Sequence, residues 1–133
     1  MRAVDTNILA RYYLQDDPEQ SRIATAVVDA GALFVPKTVI LELAWVLRSV
    51  AGQPADKVRA CLVHLVGLPG VTVECREQVE AALGHSAKGI EFADALHLAA
   101  CGECSEFLTF DDRRYARRAA RRGLNPRVRV PVD

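Results

Sequence analysis

Short apolar runs of β-type composition alternate with helical segments along the chain, and this alternation restricts the possible folds more than any other feature of the sequence. The runs that we predict to be strands cover residues 3–4, 33–35, 71–73, 107–109 and 128–130. The spacing of apolar residues between them predicts helices over residues 7–14, 18–30, 38–50, 54–66, 76–84, 90–102 and 112–122. Short strands that alternate with helices indicate an α/β fold with a parallel sheet covered on both faces.

Proline and glycine residues set several of these boundaries. Asp17 followed by Pro18 is typical of a helix N-cap with proline at the first helical position. Gly31 ends that helix, and Gly123 ends the last one. Pro36 ends the second strand, because proline has no amide proton to donate to a neighbouring strand.

The chain has 133 residues, the length of one domain, and it contains no linker, repeat or low-complexity segment. We therefore predict a single domain over residues 1–133. Apolar residues make up 50% of the chain, which excludes the disordered classes, and no apolar run reaches the roughly 20 residues of a transmembrane helix. Asp5 and Asn7 interrupt the N-terminus before any apolar signal region, so we expect a cytoplasmic protein without membrane contact.

The net charge of zero hides an uneven distribution of charge. Residues 1–110 contain 9 basic and 14 acidic side chains, whereas residues 111–133 contain 8 basic and 3 acidic ones. Six arginines cover about half of the last predicted helix: Arg113, Arg114, Arg117, Arg118, Arg121 and Arg122. Guanidinium groups bind phosphates well, so this face predicts a polyanion-binding surface. The alternative is a solvated helix face whose arginines pair with acidic residues.

The four cysteines do not form a recognisable redox or zinc motif. Cys101 and Cys104 have the spacing of a redox pair, but they close a predicted helix, where the helix dipole disfavours a thiolate. Cys61 and Cys75 do not provide the second close pair of a zinc site. We expect all four to act as small buried apolar residues.

Acidic residues follow two of the predicted strands. Asp5 follows the first strand, and Asp111 and Asp112 follow the strand at 107–109. Ligand sites of parallel α/β sheets lie beyond the carboxyl ends of the strands, so these are candidate site residues. The alternative is that Asp5, and either Asp111 or Asp112, only caps the helix that follows it.

Two further carboxylates interrupt apolar helix faces. Glu42 lies at the edge of a predicted face formed by Val39, Leu43, Val46 and Val50. Asp94 lies within a predicted stripe formed by Ile90, Leu98 and Cys101. A carboxylate on an apolar face is costly unless it points into a cleft. The alternatives are a half-exposed Glu42 or an ion pair between Glu42 and Arg48, and a favourable position for Asp94 near the N-terminal end of the helix dipole.

Four carboxylates in one cleft would repel one another unless a cation neutralised them. Oxygen ligands of this number suit Mg²⁺ or Mn²⁺, so the acids predict a divalent metal site. His97 lies one turn after Asp94, and we expect it on the helix face without a catalytic role.

Four segments, in the order in which they follow along the chain, resemble a known family. They are Val4-Asp5-Thr6-Asn7-Ile8-Leu9, the stretch 40–47 around Glu42, the stretch 92–99 around Asp94, and Leu108-Thr109-Phe110-Asp111. In this order they resemble the PIN-domain ribonucleases, most closely the toxin component of VapBC-type toxin–antitoxin modules. The resemblance implies a three-layer α/β/α sandwich with a short-stranded, mostly parallel central sheet. It also implies an endoribonuclease that depends on Mg²⁺ or Mn²⁺.

The same resemblance implies roles for individual residues. The catalytic and metal-binding acids would be Asp5, Glu42, Asp94 and Asp111, and the supporting polar residues would be Thr6, Asn7, Thr109 and Asp112. Of the two adjacent acids, we favour Asp111 as the fourth ligand because it follows Thr109-Phe110 as in the family pattern. Among the arginines, Arg113, Arg114, Arg117, Arg118 and Arg121 are the candidate RNA-binding residues.

The implied partners are an RNA substrate, a cognate antitoxin and a second copy of the chain. Leu41 and Trp45 lie off the main apolar face of the helix predicted at 38–50, which suggests a surface for a protein partner; the alternative is burial in the core. Two other functions remain open at this point. One is a housekeeping PIN-domain nuclease that processes RNA, and the other is a catalytically silent PIN domain that only binds nucleic acid.

Overall fold

The computed structural model describes residues 1–132, which form two compact units: Met1–Arg76, and a second unit that begins at Glu77. The first unit contains three short parallel strands, β1 (Arg2–Ala3), β2 (Leu33–Val35) and β3 (Val71–Val73), in the order β1-β2-β3. Its helices are α1 (Thr6–Leu14), α2 (Pro18–Asp29), α3 (Lys37–Trp45) and α4 (Ala55–Gly67). The next helix, α5 (Arg76–Ser86), begins at the boundary.

Local sequence explains where these elements begin and end. The Asp17 side chain accepts a hydrogen bond from the Gln20 amide at 3.0 Å, and Pro18 opens α2, as the sequence predicts. Gly70 has a φ of +80°, and a Cβ there would lie 3.0 Å from the Gly31 Cα. Glycine at position 70 therefore lets the chain enter β3 close to the start of β2, where the Leu33 amide donates to the Gly70 carbonyl at 2.8 Å.

The core of the first unit is built from aliphatic side chains of its sheet and helices. Its fully buried members are Leu9, Leu33, Val35, Ile40, Leu43, Leu47, Leu62 and Leu65. Both ends of β2 and one side of α3 contribute to this set, which fixes α3 and its carboxylate on the unit.

The second unit contains α6 (Phe92–Ala99), a parallel pair of strands, β4 (Glu106–Leu108) and β5 (Arg127–Arg129), and α7 (Arg117–Arg121). A π-helical turn, Asp112–Ala116, leads into α7. Its core cluster comprises Leu98, Tyr115, Ala116, Ala119 and Val128. The rings of Phe107 and Tyr115 pack with their centroids 5.4 Å apart, which joins β4 to the π-helical turn.

The predicted α/β class with parallel strands is confirmed, since every described strand pair is parallel. The described pairs form two separate sheets, of three and two strands, where the sequence predicted one central sheet. The first and the last two strands each lie one residue earlier than predicted. No helix within residues 1–132 is long and apolar enough to cross a membrane.

Two predicted helices differ in shape from the expectation. The helix expected over residues 38–50 is α3 followed by a π-helical turn, Val46–Val50, and the helix expected over 112–122 begins with the other π-helical turn. A π-helical turn holds an extra residue, so the spacing of 100° per residue fails there. The predicted apolar face through Val50 is therefore wrong: Val50 is 67% exposed, and the buried residue of that turn is Leu47.

The helix expected over residues 90–102 is shorter than predicted and runs only over α6. The Ile90 amide donates to the His85 carbonyl, so Ile90 belongs to the turn that ends α5. At the other end, the Cys101 amide donates to the Leu98 carbonyl at 2.9 Å, a three-residue step that ends the α-helical pattern.

Candidate functional site

Asp5 lies between β1 and α1 with its carboxylate at the surface. It is the N-cap of α1, and its Oδ1 accepts a hydrogen bond from the Thr6 amide at 2.7 Å. Asp5 therefore caps α1, as the alternative raised by the sequence predicts. A carboxylate has further lone pairs, so the cap leaves the exposed side chain able to bind a cation as well.

Glu42 on α3 is held by a residue of α1. The Thr6 hydroxyl, on a residue that is only 5% exposed, donates a short hydrogen bond to Glu42 Oε1. The alternative pairing of Glu42 with Arg48 is wrong, because Arg48 donates to the Gln53 carbonyl at 3.1 Å. Thr6 therefore connects two of the candidate acids: its amide binds Asp5 and its hydroxyl binds Glu42.

Asp94 lies in the first turn of α6 and is half-buried. Burial raises the pKa of its carboxyl, and the negative charges of Glu91 and Asp111 raise it further, while His97 lowers it. The Tyr115 hydroxyl donates to the Asp94 backbone carbonyl at 2.9 Å and holds the start of α6 in place. Burial of that hydroxyl raises the pKa of Tyr115. Asp94 therefore lies in a negative environment that a cation would relieve.

Asp111 and Asp112 have different contacts in the structure. Asp111 is exposed and caps the turn that follows it, since its Oδ1 accepts a hydrogen bond from the Arg114 amide at 2.9 Å. Asp112 forms an ion pair with Arg117, with Nε and Oδ2 2.7 Å apart. Asp111 is also the acid whose charge acts on Asp94. These contacts support Asp111 rather than Asp112 as the fourth acid.

The supporting polar residues fall into two groups. Thr109 orders the loop that carries Asp111: its hydroxyl accepts from the Asp111 amide at 3.1 Å, and its own amide donates to the Arg129 carbonyl at 3.1 Å. Thr6 orders Glu42 as described above. Asn7 is exposed in the first turn of α1.

The candidate acids thus divide into two pairs by unit: Thr6 connects Asp5 and Glu42 in the first, and the negative charge of Asp111 raises the pKa of Asp94 in the second. Within residues 1–132 no group of three or more His, Cys, Asp or Glu side chains is assembled into a metal site. In each unit the donors are carboxylate oxygens, which suit a hard divalent cation. These residues could hold Mg²⁺ or Mn²⁺ and would bind a soft metal poorly.

The predicted arginine face is exposed, but its members are not equivalent. Tyr115, Ala116 and Ala119 are buried as expected, whereas Ala120 is exposed. Three arginines have partners within the second unit: Arg117 pairs with Asp112, Arg118 donates to the Gly89 carbonyl at 2.7 Å, and Arg122 donates to the Lys88 carbonyl at 3.1 Å. In the described part of the chain Arg113, Arg114 and Arg121 are exposed and have no partner. Those three guanidinium groups are the ones available to phosphates.

Other side chains depart from the sequence interpretation. The expectation that all four cysteines are buried is wrong for Cys75 and Cys104, which are exposed, and the cysteines of residues 1–132 form no disulfide. His64 contacts the Tyr13 hydroxyl through Nδ1 at 2.9 Å, a pairing across α1 and α4 that no spacing in the sequence reveals. Phe110, which the sequence pattern marks only as part of a motif, is 86% exposed and precedes Asp111 in the chain.

The model of the PIN domain family matches residues 2–121 of the chain. The chain belongs to the PIN domain family. PIN domains are generally nucleases, and the matched region contains both acid pairs and the supporting threonines. A comparison with curated proteins finds no match.

Proposed function

We propose that this PIN domain is an endoribonuclease that depends on Mg²⁺ or Mn²⁺ and hydrolyses RNA phosphodiester bonds. The observation that carries the proposal is the pairing of the four acids in the matched region. Thr6 binds both Asp5 and Glu42, and Asp111 acts electrostatically on Asp94. In a family of nucleases, carboxylates of this kind would provide the ligands of a catalytic divalent metal.

In this proposal Asp5 and Asp94 are the main metal ligands, and Glu42 and Asp111 complete the set or accept the proton of the attacking water. A bound divalent ion supplies charge neutralisation on the phosphate and lowers the pKa of a water molecule. Thr6 fixes the direction of the Glu42 carboxylate through its hydroxyl. Tyr115 fixes the backbone of Asp94, so that both pairs are oriented before substrate binds.

The first test is cleavage of a single-stranded RNA by the purified chain. We expect cleavage in Mg²⁺ or Mn²⁺, loss of cleavage in chelator, and recovery on adding back the metal. Asp5→Asn removes the charge, and asparagine caps a helix as well as aspartate does, so the variant keeps its fold. Full activity of Asp5→Asn, or cleavage in chelator, would contradict the proposal.

We further propose that the enzyme is the cytoplasmic toxin of a VapBC-like module, acts as a homodimer and is inhibited by a cognate antitoxin. The ordered motifs of the sequence support this assignment. Exposed apolar side chains in the first unit also support it, since Trp45 is 60%, Val50 67% and Val63 45% exposed. Such side chains suit contact with a protein partner.

Growth of cells that express the chain tests the toxin assignment. A toxin arrests growth, the Asp5→Asn variant does not, and a small neighbouring gene with a DNA-binding N-terminus restores growth when it is co-expressed. Normal growth in the presence of active enzyme would instead identify a housekeeping nuclease.

A further inference from the structure

Phe110 has the largest exposed fraction of any large apolar side chain in residues 1–132, at 86%. A phenyl ring in water contributes no burial energy to the fold. Tyr115, by contrast, is only 2% exposed and does contribute it. Single exposed apolar residues are common on protein surfaces, so exposure alone does not indicate a function. The position of this ring and the order of its loop supply the further argument.

The loop that carries Phe110 is held on both sides. Before it, the Thr109 amide donates to the Arg129 carbonyl of β5 at 3.1 Å. After it, the Asp111 amide donates to the Thr109 hydroxyl at 3.1 Å, and the Asp111 carboxylate accepts from the Arg114 amide at 2.9 Å. The backbone on either side of Phe110 is therefore fixed while the ring points to solvent. A loop whose backbone is already fixed loses less conformational entropy when a ligand packs on its exposed ring.

The surroundings of the ring match those of a single-stranded nucleic-acid site. Asp111, one of the proposed metal ligands, is the next residue along the chain. Arg113 and Arg114 follow in the π-helical turn, and both are exposed without a partner in the described part of the chain. Proteins that bind single strands combine aromatic rings, which stack on bases, with basic groups, which contact the backbone.

We propose that Phe110 stacks on an unpaired base of the RNA substrate next to the cleaved bond, with Arg113 and Arg114 at the adjacent phosphates. This inference rests on the proposed nuclease function and assigns part of its substrate recognition. Stacking requires a base that is free of pairing, so the preferred substrate is a single-stranded segment or a loop. A protein partner is a weaker explanation, because two exposed guanidinium groups without a partner in the described residues follow the ring within four positions, and a protein contact would have to neutralise both.

The test measures binding separately from cleavage. All variants are made in an Asp94→Asn background, so that the RNA stays intact, and fluorescence anisotropy follows a labelled single-stranded oligoribonucleotide. Phe110→Ala is compared with Phe110→Leu, which keeps an apolar side chain of similar size without an aromatic face, and with Phe110→Trp. A strand of the same length that lacks its bases is the matched ligand.

We expect Phe110→Ala and Phe110→Leu each to weaken binding of the normal strand by roughly 5- to 160-fold, which corresponds to the loss of one stacked base. Phe110→Trp binds at least as tightly as the parent. All variants bind the base-free strand equally, because only the backbone contacts remain. In a Trp45→Phe background, the emission of the tryptophan in Phe110→Trp falls when the normal strand binds and is unchanged with the base-free strand.

Three results would overturn the inference: unchanged RNA binding by Phe110→Ala, full recovery by Phe110→Leu, or an equal loss on the base-free strand. Unchanged RNA binding combined with loss of self-association in sedimentation would make Phe110 a protein contact instead. Cleavage by the chain with Asp94 intact is recorded in parallel. If it is absent while the base-dependent effect of Phe110 persists, the nuclease proposal fails and the stacking site stands.

Discussion

Replacing Thr6 with valine tests how the first acid pair is held. Valine has nearly the shape of threonine and lacks the hydroxyl that donates to Glu42. The hydroxyl belongs to a residue that is only 5% exposed, whereas Glu42 is exposed. The substitution therefore removes one hydrogen bond to a charged group without changing the packing around α1 to any large extent.

The free energy of unfolding that Thr6→Val is expected to lose follows from the exposure of Thr6 and Glu42. A hydrogen bond to a charged group contributes about 1.5–3 kcal/mol when both partners are shielded from water. Water can replace the threonine hydroxyl at Glu42, because that carboxylate is exposed, so about 1 kcal/mol remains. For a chain of this length a loss of 1 kcal/mol lowers Tm by about 3–5 °C. The freed Glu42 carboxylate also loses its fixed direction, and metal-dependent cleavage should fall.

A double-mutant cycle of Thr6→Val and Glu42→Ala, each of which removes one partner of the hydrogen bond, isolates this contact from the other effects of each substitution. Chemical denaturation of the four proteins should give a coupling free energy of about 1 kcal/mol. Thr6→Ser, which keeps the hydroxyl, is the control and should retain most of the activity. A coupling energy of zero, or full cleavage activity in Thr6→Val, would refute the role assigned to this hydrogen bond.

Three further outcomes are expected. Asp17→Ala removes the N-cap of α2 and should lower the free energy of unfolding, measured by chemical denaturation, by about 1 kcal/mol. Asp17→Ser, which keeps a capping oxygen, should retain most of that free energy. The hydrogen bond from Arg129 lowers the pKa of Glu106 in the folded protein. The pair therefore stabilises the fold at pH values above the pKa of glutamate in the unfolded chain. This stabilisation is lost as the pH falls through the lower pKa of the folded state. Thermal unfolding should thus show a smaller loss of Tm on acidification for Glu106→Gln, and an identical pH profile would contradict this. Arg114→Glu should weaken RNA binding and reduce the magnitude of the slope of log K against log salt by about 0.7 or more, and an unchanged slope would contradict this.

Helix and strand types were predictable from sequence wherever a local signal acts alone. Asp17 and Pro18 mark the start of α2, and the apolar run of β2 is read correctly residue by residue. The prediction failed at Val50, because a π-helical turn is set by packing and shifts the face that follows it. The strands β4 and β5 lie one residue earlier than predicted, because strand ends depend on hydrogen bonds to a partner strand that the sequence does not specify.

The candidate acids were identifiable because charged residues at strand ends and on apolar helix faces conflict with simple burial. Their partners were not identifiable in this way. Thr6 and Glu42 are 36 residues apart in the sequence, and Tyr115 and Asp94 are 21 apart. Contacts between residues so far apart depend on how the helices pack. The ion pair of Asp112 with Arg117, which gives the two adjacent acids different contacts, was likewise not identifiable from sequence.

The chemistry of the RNA ends shows whether water or the RNA 2′-hydroxyl attacks the phosphorus. If Asp5, Glu42, Asp94 and Asp111 hold a divalent ion as proposed, hydrolysis by water would leave a 5′-phosphate and a 3′-hydroxyl. End-labelling of the cleaved RNA should show these ends in Mg²⁺ or Mn²⁺, and no cleavage with Asp94→Asn. A 2′,3′-cyclic phosphate would show that the RNA 2′-hydroxyl is the nucleophile and would contradict the account.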